Sequence, residues 1–304
     1  MDSPRLGDYS IHTAREGFSN IIHRASGEIM HARIHPMQEA RTLYVEQSAL
    51  SNLLLSTDNS LPELPVTIWD VGLGAAANAI AAIECHATLS KSSTARIRPL
   101  QIVSFENDLD SLRLAVAHRD RFDYLRHPGV DALLLTGSWR SPSGPPLTWQ
   151  LVEGDFPHSI TDNLPAPDAI YYDLFSQKTH PQAWEFETFR RLYSACADHA
   201  SELFTYTIST ASRAGMLAAG FHVARGSGTG PKSETTIALT GAAIGCERRK
   251  TQRDLLGTDW LTKWQRSTAK FPPDVTEEAQ NAFERALKSH PLFAVTIDSN
   301  LISD

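Results

Sequence analysis

Cysteine is scarce in this chain, and long apolar runs are missing. The 304 residues include three cysteines, which lie far apart and have no Cys-x-x-Cys spacing. This excludes a small disulfide-stabilised domain and predicts reduced, buried thiols in a cytoplasmic protein. The longest apolar run, residues 75–83, contains Asn78 and is too short to cross a bilayer. The first ten residues lack the charged-then-apolar pattern of a signal peptide, so we expect no membrane association.

Basic charge is also in deficit, with 28 Lys and Arg against 35 Asp and Glu and a net charge of −7. Such acidity argues against a nucleic-acid partner. The deficit is uneven, however, because residues 205–270 contain ten basic and four acidic residues. Arg248, Arg249 and Lys250 form the densest part of this stretch. It predicts either a face that contacts phosphates or an ordinary solvated surface.

The twelve histidines show no His-x-x-x-His or clustered spacing, so the sequence predicts no metal site. Short apolar strands alternate with helical runs between residues 64 and 239. The predicted strands are residues 66–71, 100–105, 148–152, 168–172, 203–207, 221–224 and 235–239. This alternation indicates a mostly parallel, doubly wound α/β sheet. The last two strands lie too close for a helix between them and are expected to pair antiparallel.

Three regions follow from this pattern. Residues 1–60 are interpreted as an N-terminal extension of polar turns with one helix beginning near Pro36. Residues 61–240 form a Rossmann-like domain, in which residues 90–98 and 137–147 look like inserted loops. Residues 241–304 form a basic extension with a helix over residues 275–289, whose first turn is acidic.

A glycine turn joins the first predicted strand to the first helix of the domain. Gly72 and Gly74 allow the backbone to turn tightly and approach a ligand, and Asn78 follows on the helix. Asp70 stands where it would repel a pyrophosphate but attract a cationic amino group. The turn therefore favours S-adenosylmethionine, whose methionine end carries an ammonium. Asp70, and Ala76 in place of a third glycine, disfavour NAD.

Acidic residues end the other strands of the series. Glu106 follows the second strand, where an adenosine ribose is held through its hydroxyls, and Asp155 is placed to accept from the adenine amino group. Asp173 ends the strand over residues 168–172. Because the carboxyl ends of parallel strands form the ligand crevice, we expect these side chains to converge with Asp70.

Several short motifs carry a family resemblance. The matching stretches are Gly27-Glu28-Ile29-Met30-His31 with Glu39-Ala40, Ser104-Phe105-Glu106, Asp173-Leu174-Phe175 with Pro181 and Trp184, Ala219-Gly220-Phe221, Gly228-x-Gly230-x-Lys232-x-Glu234, and Trp260-Leu261 with Trp264. From about residue 27 to 267 the chain resembles the methyltransferase domain of the tRNA wobble-uridine 5-methylaminomethyl-2-thiouridine synthesis enzymes. The motif around Lys232 is the most discriminating, since general methyltransferases lack it.

The resemblance implies a class I methyltransferase fold and S-adenosyl-L-methionine as cofactor. It implies that the chain converts 5-aminomethyl(-2-thio)uridine to 5-methylaminomethyl(-2-thio)uridine at the wobble position, in the tRNA anticodon loop. In many bacteria this domain is fused to a flavin oxidoreductase. Only about 64 residues follow Thr240 here, fewer than the ~100 of a further domain, so we expect no flavin.

The resemblance also implies roles for particular residues. Asp173 either accepts a proton from the attacking amine or holds the methionine amine of the cofactor. Phe175 and Trp184 either stack on the wobble base or pack in the core, with Trp184 favoured for stacking because it belongs to the matched motif. Lys232 joins Arg248, Arg249 and Lys250 in binding the substrate. Leu174 replaces a glycine of the motif. A class I methyltransferase with a small-molecule or protein acceptor, or a non-catalytic module that binds S-adenosylmethionine, therefore stays open as an alternative.

Overall fold

A nine-stranded mixed sheet forms the centre of the described structure. The computed structural model describes residues 3–31, 34–55, 64–228, 233–246 and 252–294. The described strands are β1 (Arg5–Leu6), β2 (Tyr9–Thr13), β3 (Ser19–His23), β4 (Val66–Val71), β5 (Leu100–Glu106), β6 (Ser138–Arg140), β7 (Leu147–Glu153), β8 (Ala169–Tyr172), β9 (Glu202–Thr205), β10 (His222–Ser227), β11 (Glu234–Leu239) and β12 (Asp254–Leu255). The order in the large sheet is β12-β10-β11-β9-β8-β4-β5-β7-β6.

The pairing of these strands confirms the predicted doubly wound fold. Strands β7, β5, β4, β8 and β9 run parallel, whereas β11 pairs antiparallel with both β9 and β10. From β4 the chain builds outward through β5 and β7 on one side, and then returns to build through β8 and β9 on the other. The carboxyl ends of β4 and β8 therefore flank the point where the strand order reverses, which is where open α/β sheets bind ligands.

Helices cover both faces of the sheet. They are α1 (Pro36–Ala40), α2 (Leu50–Leu54), α3 (Ala77–Ser92), α4 (Asp110–Ala117), α5 (Pro128–Thr136), α6 (Phe186–Cys196), α7 (Thr210–Ala219), α8 (Thr258–Arg266), α9 (Glu277–Lys288) and α10 (Pro291–Ala294), with a π-helical segment at Arg41–Glu46 and 3₁₀ turns at Asp123–Arg126, Pro181–Trp184 and Gly241–Ala243. One apolar core lies under helices α1 to α5, and a second lies under helices α6 to α10. Within the described ranges, no helix is both long and apolar enough to cross a membrane.

The N-terminal segment differs from its predicted form. Instead of polar turns, β1, β2 and β3 form a small antiparallel sheet. The side chains of β2 alternate between buried and partly exposed, since Tyr9 and Ile11 face the core while Ser10 and His12 do not. This period-2 pattern is too short to stand out from turns in the sequence alone. The helical part does begin at Pro36, as predicted.

Both predicted insertions also take regular structure. Helix α3 continues to Ser92, so that only the residues after it form a loop. Residues 138–140 pair antiparallel with β7 and close the edge of the sheet as a hairpin. Helices α5 and α8 were not predicted. The amphipathic helix α8 buries Trp260 and Trp264 against the second core, although its sequence is polar on average.

Candidate functional site

A cavity opens at the switch point of the sheet. It holds about 1120 Å³ of space, part of it open to solvent. Its walls come from the turn after β4, the ends of β5 and β8, and the N-terminal segment. The lining residues are Tyr9, Glu28, Ile29, Met30, His31, Ile34, Glu39, Gly72, Leu73, Gly74, Ala75, Asn78, Glu106, Asp173, Leu174, Phe175, His180 and Tyr206.

The glycine turn forms the floor of this cavity. Gly72 has a φ of +89°, and a Cβ there would lie 2.9 Å from the Asp173 carbonyl oxygen. Gly74, with a φ of +50°, packs against the Met30 sulfur. Ala76 also has a positive φ and caps helix α3, which begins at Ala77. Only glycine at position 72 leaves the backbone room to pass this close to β8.

Glu106 ties the glycine turn to the end of β5. Its Oε2 accepts a hydrogen bond from the Gly74 amide at 3.0 Å, and its Oε1 accepts from the amides of Asn107 and Asp108. Burial raises the pKa of Glu106, and these three amides oppose that rise. The carboxylate is thus fixed at the cavity wall, in the position expected of a ribose ligand.

A second, smaller cavity adjoins the first, because Glu106, Leu174 and His180 line both. Asp155 lines this neighbouring cavity, is exposed, and accepts a 2.7 Å hydrogen bond from the Asn107 amide nitrogen Nδ2. The structure therefore brings Gly72, Gly74, Asn78 and Glu106 together in one cavity and places Asp155 in the adjoining one.

Asp70 does not lie where the sequence suggested. It is fully buried, it does not line either cavity, and its Oδ2 accepts a 2.7 Å hydrogen bond from the Ser104 hydroxyl. Asp70 and Ser104 are direct cross-strand neighbours on β4 and β5. The Asp70 carboxylate therefore lies against Ser104 on the neighbouring strand β5 and does not reach the ligand crevice. Burial raises the pKa of Asp70 to about 7. It cannot contact a ligand ammonium directly.

Asp173 takes the place at the cavity wall that Asp70 was expected to fill. Its Oδ2 accepts a 2.8 Å hydrogen bond from Nδ2 of Asn78 and lies 4.0 Å from Nε2 of His31. Burial raises the pKa of Asp173, while His31 and Asn78 oppose that rise. Oδ1 of Asn78 is buried and has no hydrogen-bond partner among the described residues.

His31 is a cavity residue to which the sequence assigned no role, since the histidines were considered only as metal ligands. It has a left-handed φ of +54°, and its Nδ1 lies 3.1 Å from Oε2 of Glu39 on α1. Burial lowers its pKa, but Glu39 and Asp173 outweigh burial, so that the net shift is upward. The only sequence signal was its position in the Gly27–His31 motif.

The N-terminal sheet builds the outer wall of the cavity. The ring of Phe175 lies 6.5 Å from that of Tyr9 with an interplanar angle of 14°, and His23 and His180 flank it. Phe175 therefore borders the cavity. Sequence reasoning gave Tyr9 no role, because a tyrosine on an unrecognised strand offers no signal of its own.

Glu28 connects the N-terminal segment to the loop after β8 through hydrogen bonds. Its carboxylate accepts hydrogen bonds from the Ser176 amide at 2.8 Å, the Ser176 hydroxyl at 2.9 Å and the Thr179 hydroxyl at 2.6 Å. The Thr179 hydroxyl thus provides a contact that holds this loop against the cavity.

Trp184 differs from its predicted role. Its side chain is only 2% exposed and packs against Tyr172, Phe189 and Tyr206 in the second core. Its indole Nε1 donates a 2.8 Å hydrogen bond to the Phe175 carbonyl. No face of the ring is open for a base to stack on. Trp184 instead holds the backbone of Phe175 in place through this hydrogen bond.

The basic stretch over residues 205–270 is less available than its charge suggests. Arg213 is 2% exposed and forms an ion pair with Glu234, and Arg253 pairs with buried Glu202. Arg225 bridges Asp254 and Asp259. Lys270 pairs with Glu284 and lies over the rings of Trp264 and Phe271, so four of the ten basic residues serve the fold. Lys232, Arg248, Arg249 and Lys250 lie outside the described residues.

The cavity fits S-adenosyl-L-methionine by its own chemistry. Glu28, Glu39, Glu106 and Asp173 line it, and no lysine or arginine does so among the described residues. A cationic ligand is favoured in such an environment. The glycine floor permits close approach, and the buried Asn78 Oδ1 lacks a protein partner. In the described part of the chain, no group of three His, Cys, Asp or Glu side chains is arranged for a metal ion.

Comparisons with known proteins agree with this geometry. Residues 143–240 match the S-adenosyl-L-methionine-dependent methyltransferase family model. Two similar curated proteins are both the tRNA 5-methylaminomethyl-2-thiouridine biosynthesis bifunctional protein MnmC. That of Paracidovorax citrulli is 29% identical over 34% of this chain and 15% of its own length. That of Ralstonia nicotianae is 35% identical over 30% of this chain and 14% of its own length.

The chain thus aligns with only about a seventh of the length of these relatives. A similar solved structure is MnmC2 of Aquifex aeolicus, which is 18% identical, with a TM-score of 0.65 over 94% of this chain and 86% of the other. At this identity the likeness shows the fold. Residues 143–240 therefore match a family of S-adenosyl-L-methionine-dependent methyltransferases, and about a third of the chain is similar in sequence to MnmC proteins, with a fold like that of MnmC2.

Proposed function

We propose that this protein methylates the 5-aminomethyl group of a tRNA wobble uridine, with or without a 2-thio group, to give the 5-methylaminomethyl form. The observation that carries the proposal is the position of Asp173. This carboxylate lies at the wall of the acidic cavity, beside the glycine turn and in the motif shared with the related family. The MnmC relatives are tRNA 5-methylaminomethyl-2-thiouridine biosynthesis proteins, which supports this assignment.

The charge of the cavity supports an amine as acceptor. Its four carboxylates attract a primary ammonium and concentrate it at the wall, whereas they disfavour a carboxylate or phosphate acceptor. Glu28 is held by the Ser176 and Thr179 contacts, and Glu39 pairs with His31. Glu106 is fixed by backbone amides beside the glycine turn, where it would hold the cofactor. Asp173 is therefore the carboxylate best placed to engage the acceptor.

When bound, S-adenosylmethionine supplies a methyl group on a sulfonium. Transfer breaks the carbon–sulfur bond, forms a carbon–nitrogen bond, and requires an unprotonated amine. Asp173, in its ionised form, accepts a proton from the ammonium directly or through water and orients the amine. Alignment by the fixed walls can contribute roughly 7–11 kcal/mol to lowering the barrier. Gly72, Gly74, Asn78 and Glu106 would hold the cofactor.

His31 favours the ionised form of Asp173, which is the form that can accept a proton. A buried carboxylate left alone becomes protonated more easily, and a protonated Asp173 cannot accept a proton. The imidazolium of His31, held by Glu39, lowers the pKa of Asp173 and so opposes its burial. We therefore assign His31 as a positioning residue for Asp173.

The aromatic wall supports a nucleobase as the group that carries the amine. Wobble uridine lies in a single-stranded loop, where a base can leave its stack and lie against aromatic rings. Phe175, Tyr9 and His180 all line the cavity and pack against one another there. A planar base has an aromatic surface to lie against, whereas a small aliphatic amine would not use it.

The test is methyl transfer from labelled S-adenosylmethionine to tRNA that carries 5-aminomethyluridine. We expect 5-methylaminomethyluridine in nuclease digests, identified by mass spectrometry. The same tRNA that already carries the final methyl group is the control and should accept no label. Label in a free small amine or a protein, with none in the tRNA, would assign the enzyme to a different acceptor. Cofactor binding without transfer to any acceptor would support a non-catalytic module.

A further inference from the structure

Two surface depressions lie near the cavity. Tyr206 lines both the cavity and the first depression, in which Lys178 and Ser209 also lie. The next residue along the chain, Thr210, lines the second depression together with Lys263 and Arg266 of helix α8. Because Ser209 and Thr210 are consecutive, the two depressions are neighbours, and the first of them shares Tyr206 with the cavity. We call Lys178, Ser209, Thr210, Lys263 and Arg266 the cationic strip.

The cations of this strip are available to a partner. Lys178, Lys263 and Arg266 are exposed, and none of them forms an ion pair with a described residue. This separates them from Arg213, Arg225 and Arg253, which are neutralised inside the fold. The acidic residue beside them, Asp259, lies 2.8 Å from Arg225 and is therefore already paired.

The acidic cavity determines where a phosphate backbone can lie. Four carboxylates inside the cavity repel phosphates, so a nucleotide whose base enters it must leave its phosphates outside. The cationic strip begins at that boundary and adds hydroxyl groups, which commonly contact phosphate and sugar oxygens. Ile208, 48% exposed between Thr207 and Ser209, provides an apolar surface for a ribose or a flanking base.

We propose that the cationic strip binds the sugar–phosphate backbone of the RNA next to the acceptor nucleotide. This inference rests on the proposed function, since it takes the nucleotide in the cavity as its starting point. It assigns backbone contact to three residues that the fold brings together from separate parts of the sequence. An acidic peptide is the competing ligand, and it is an outcome of the test below.

The experiment measures equilibrium binding of unmodified tRNA, without S-adenosylmethionine, between about 50 and 200 mM salt. Each contact with a single-strand phosphate contributes about 0.7 to the slope of log K against log salt. We expect Lys263→Gln/Arg266→Gln to lower the magnitude of this slope by about 1.4, and Lys178→Gln by about 0.7. Lys91→Gln/Arg126→Gln is the matched control, since both residues are exposed cations on the opposite layer of the protein.

Separate outcomes test the strip and the function. If the wild type methylates tRNA and the Lys263/Arg266 variant keeps the wild-type salt slope, the cationic strip does not bind the RNA backbone, while the proposed function stands. If the control lowers the slope equally, the contact is non-specific and the strip is also wrong. If poly-glutamate displaces tRNA as well as unlabelled tRNA does, the strip is not an RNA site. If tRNA accepts no methyl group although the strip variants lower the slope, the proposed function fails alone.

Discussion

The Nε2 atom of His31 lies 4.0 Å from Oδ2 of Asp173, while its Nδ1 lies 3.1 Å from Oε2 of Glu39. The histidine therefore stands between two carboxylates, one of which borders the glycine turn. Tyr44, Tyr206 and Asp70 also interact electrostatically with Asp173, as does Glu39 itself. Among these groups His31 is the cation, so its charge governs whether Asp173 stays ionised.

Removing this cation should change the pH dependence of catalysis. In His31→Gln the pKa of Asp173 rises, because burial is no longer opposed by the imidazolium. We expect the acid limb of kcat/KM to move to higher pH, with most of the lost activity restored in alkaline buffer. The measurement is a pH profile of methyl transfer to tRNA.

Two further variants show whether charge is the cause. Glu39→Gln removes a negative charge that raises the pKa of both His31 and Asp173. Losing that charge lowers the pKa of Asp173 directly, but it also makes His31 a weaker base and so a less complete cation. Because these two effects on Asp173 oppose each other, the acid limb of kcat/KM should move less than in His31→Gln. His12→Gln, on β2 and outside the cavity lining, should leave the profile unchanged. An activity loss in His31→Gln that is equal at every pH would contradict the electrostatic role.

Replacing Asp173 itself separates its two possible roles. Asp173→Asn keeps the shape but cannot accept a proton, so turnover should fall by at least ~10² while cofactor affinity is retained. Single-turnover rates and calorimetric cofactor binding measure the two quantities. If the cofactor affinity falls instead and turnover at saturation is preserved, Asp173 holds the methionine amine and another group acts on the acceptor.

Gly72 should be intolerant of a methyl group. In Gly72→Ala the added Cβ would lie 2.9 Å from the Asp173 carbonyl oxygen in a left-handed backbone, which should weaken both the fold and cofactor binding. The backbone strain costs on the order of 1–3 kcal/mol. Gly17→Ala is the matched control, with a φ of +92° and no atom within 4 Å of its added Cβ. Equal losses of Tm and of cofactor affinity in the two variants would mean that the contact with β8 is unimportant.

Asp70 should make the protein less stable as pH rises. Its native pKa is about 7 against 3.8 for an unperturbed side chain, so the native state holds a proton that the unfolded state releases earlier. The free energy of unfolding should therefore fall between about pH 4 and pH 7, by an amount on the order of a few kcal/mol. In Asp70→Asn this fall should be reduced. Urea unfolding at several pH values measures it, and parallel curves for the two proteins would show that Asp70 is already ionised in the native state.

The doubly wound sheet and the glycine turn could both be predicted from the amino-acid sequence alone. Alternating strands and helices leave few topologies, and the acids after β5, β7 and β8 lie at one edge because parallel strands share their direction. Glu106, Asp155 and Asp173 could therefore be placed from strand ends alone. The same logic failed for Asp70, because one residue along a strand reverses the direction of a side chain.

The residues that face this edge of the sheet could be identified only from the packing of the folded chain. Tyr9, Glu28, His31 and Glu39 reach the cavity because the N-terminal sheet folds back over the switch point, and no local pattern encodes contacts between such distant segments. Burial likewise decided that Trp184 supports the core and that Arg213 neutralises Glu234. Charge and residue type are properties of the sequence, whereas exposure depends on packing, which is why the cationic strip could be recognised only in three dimensions.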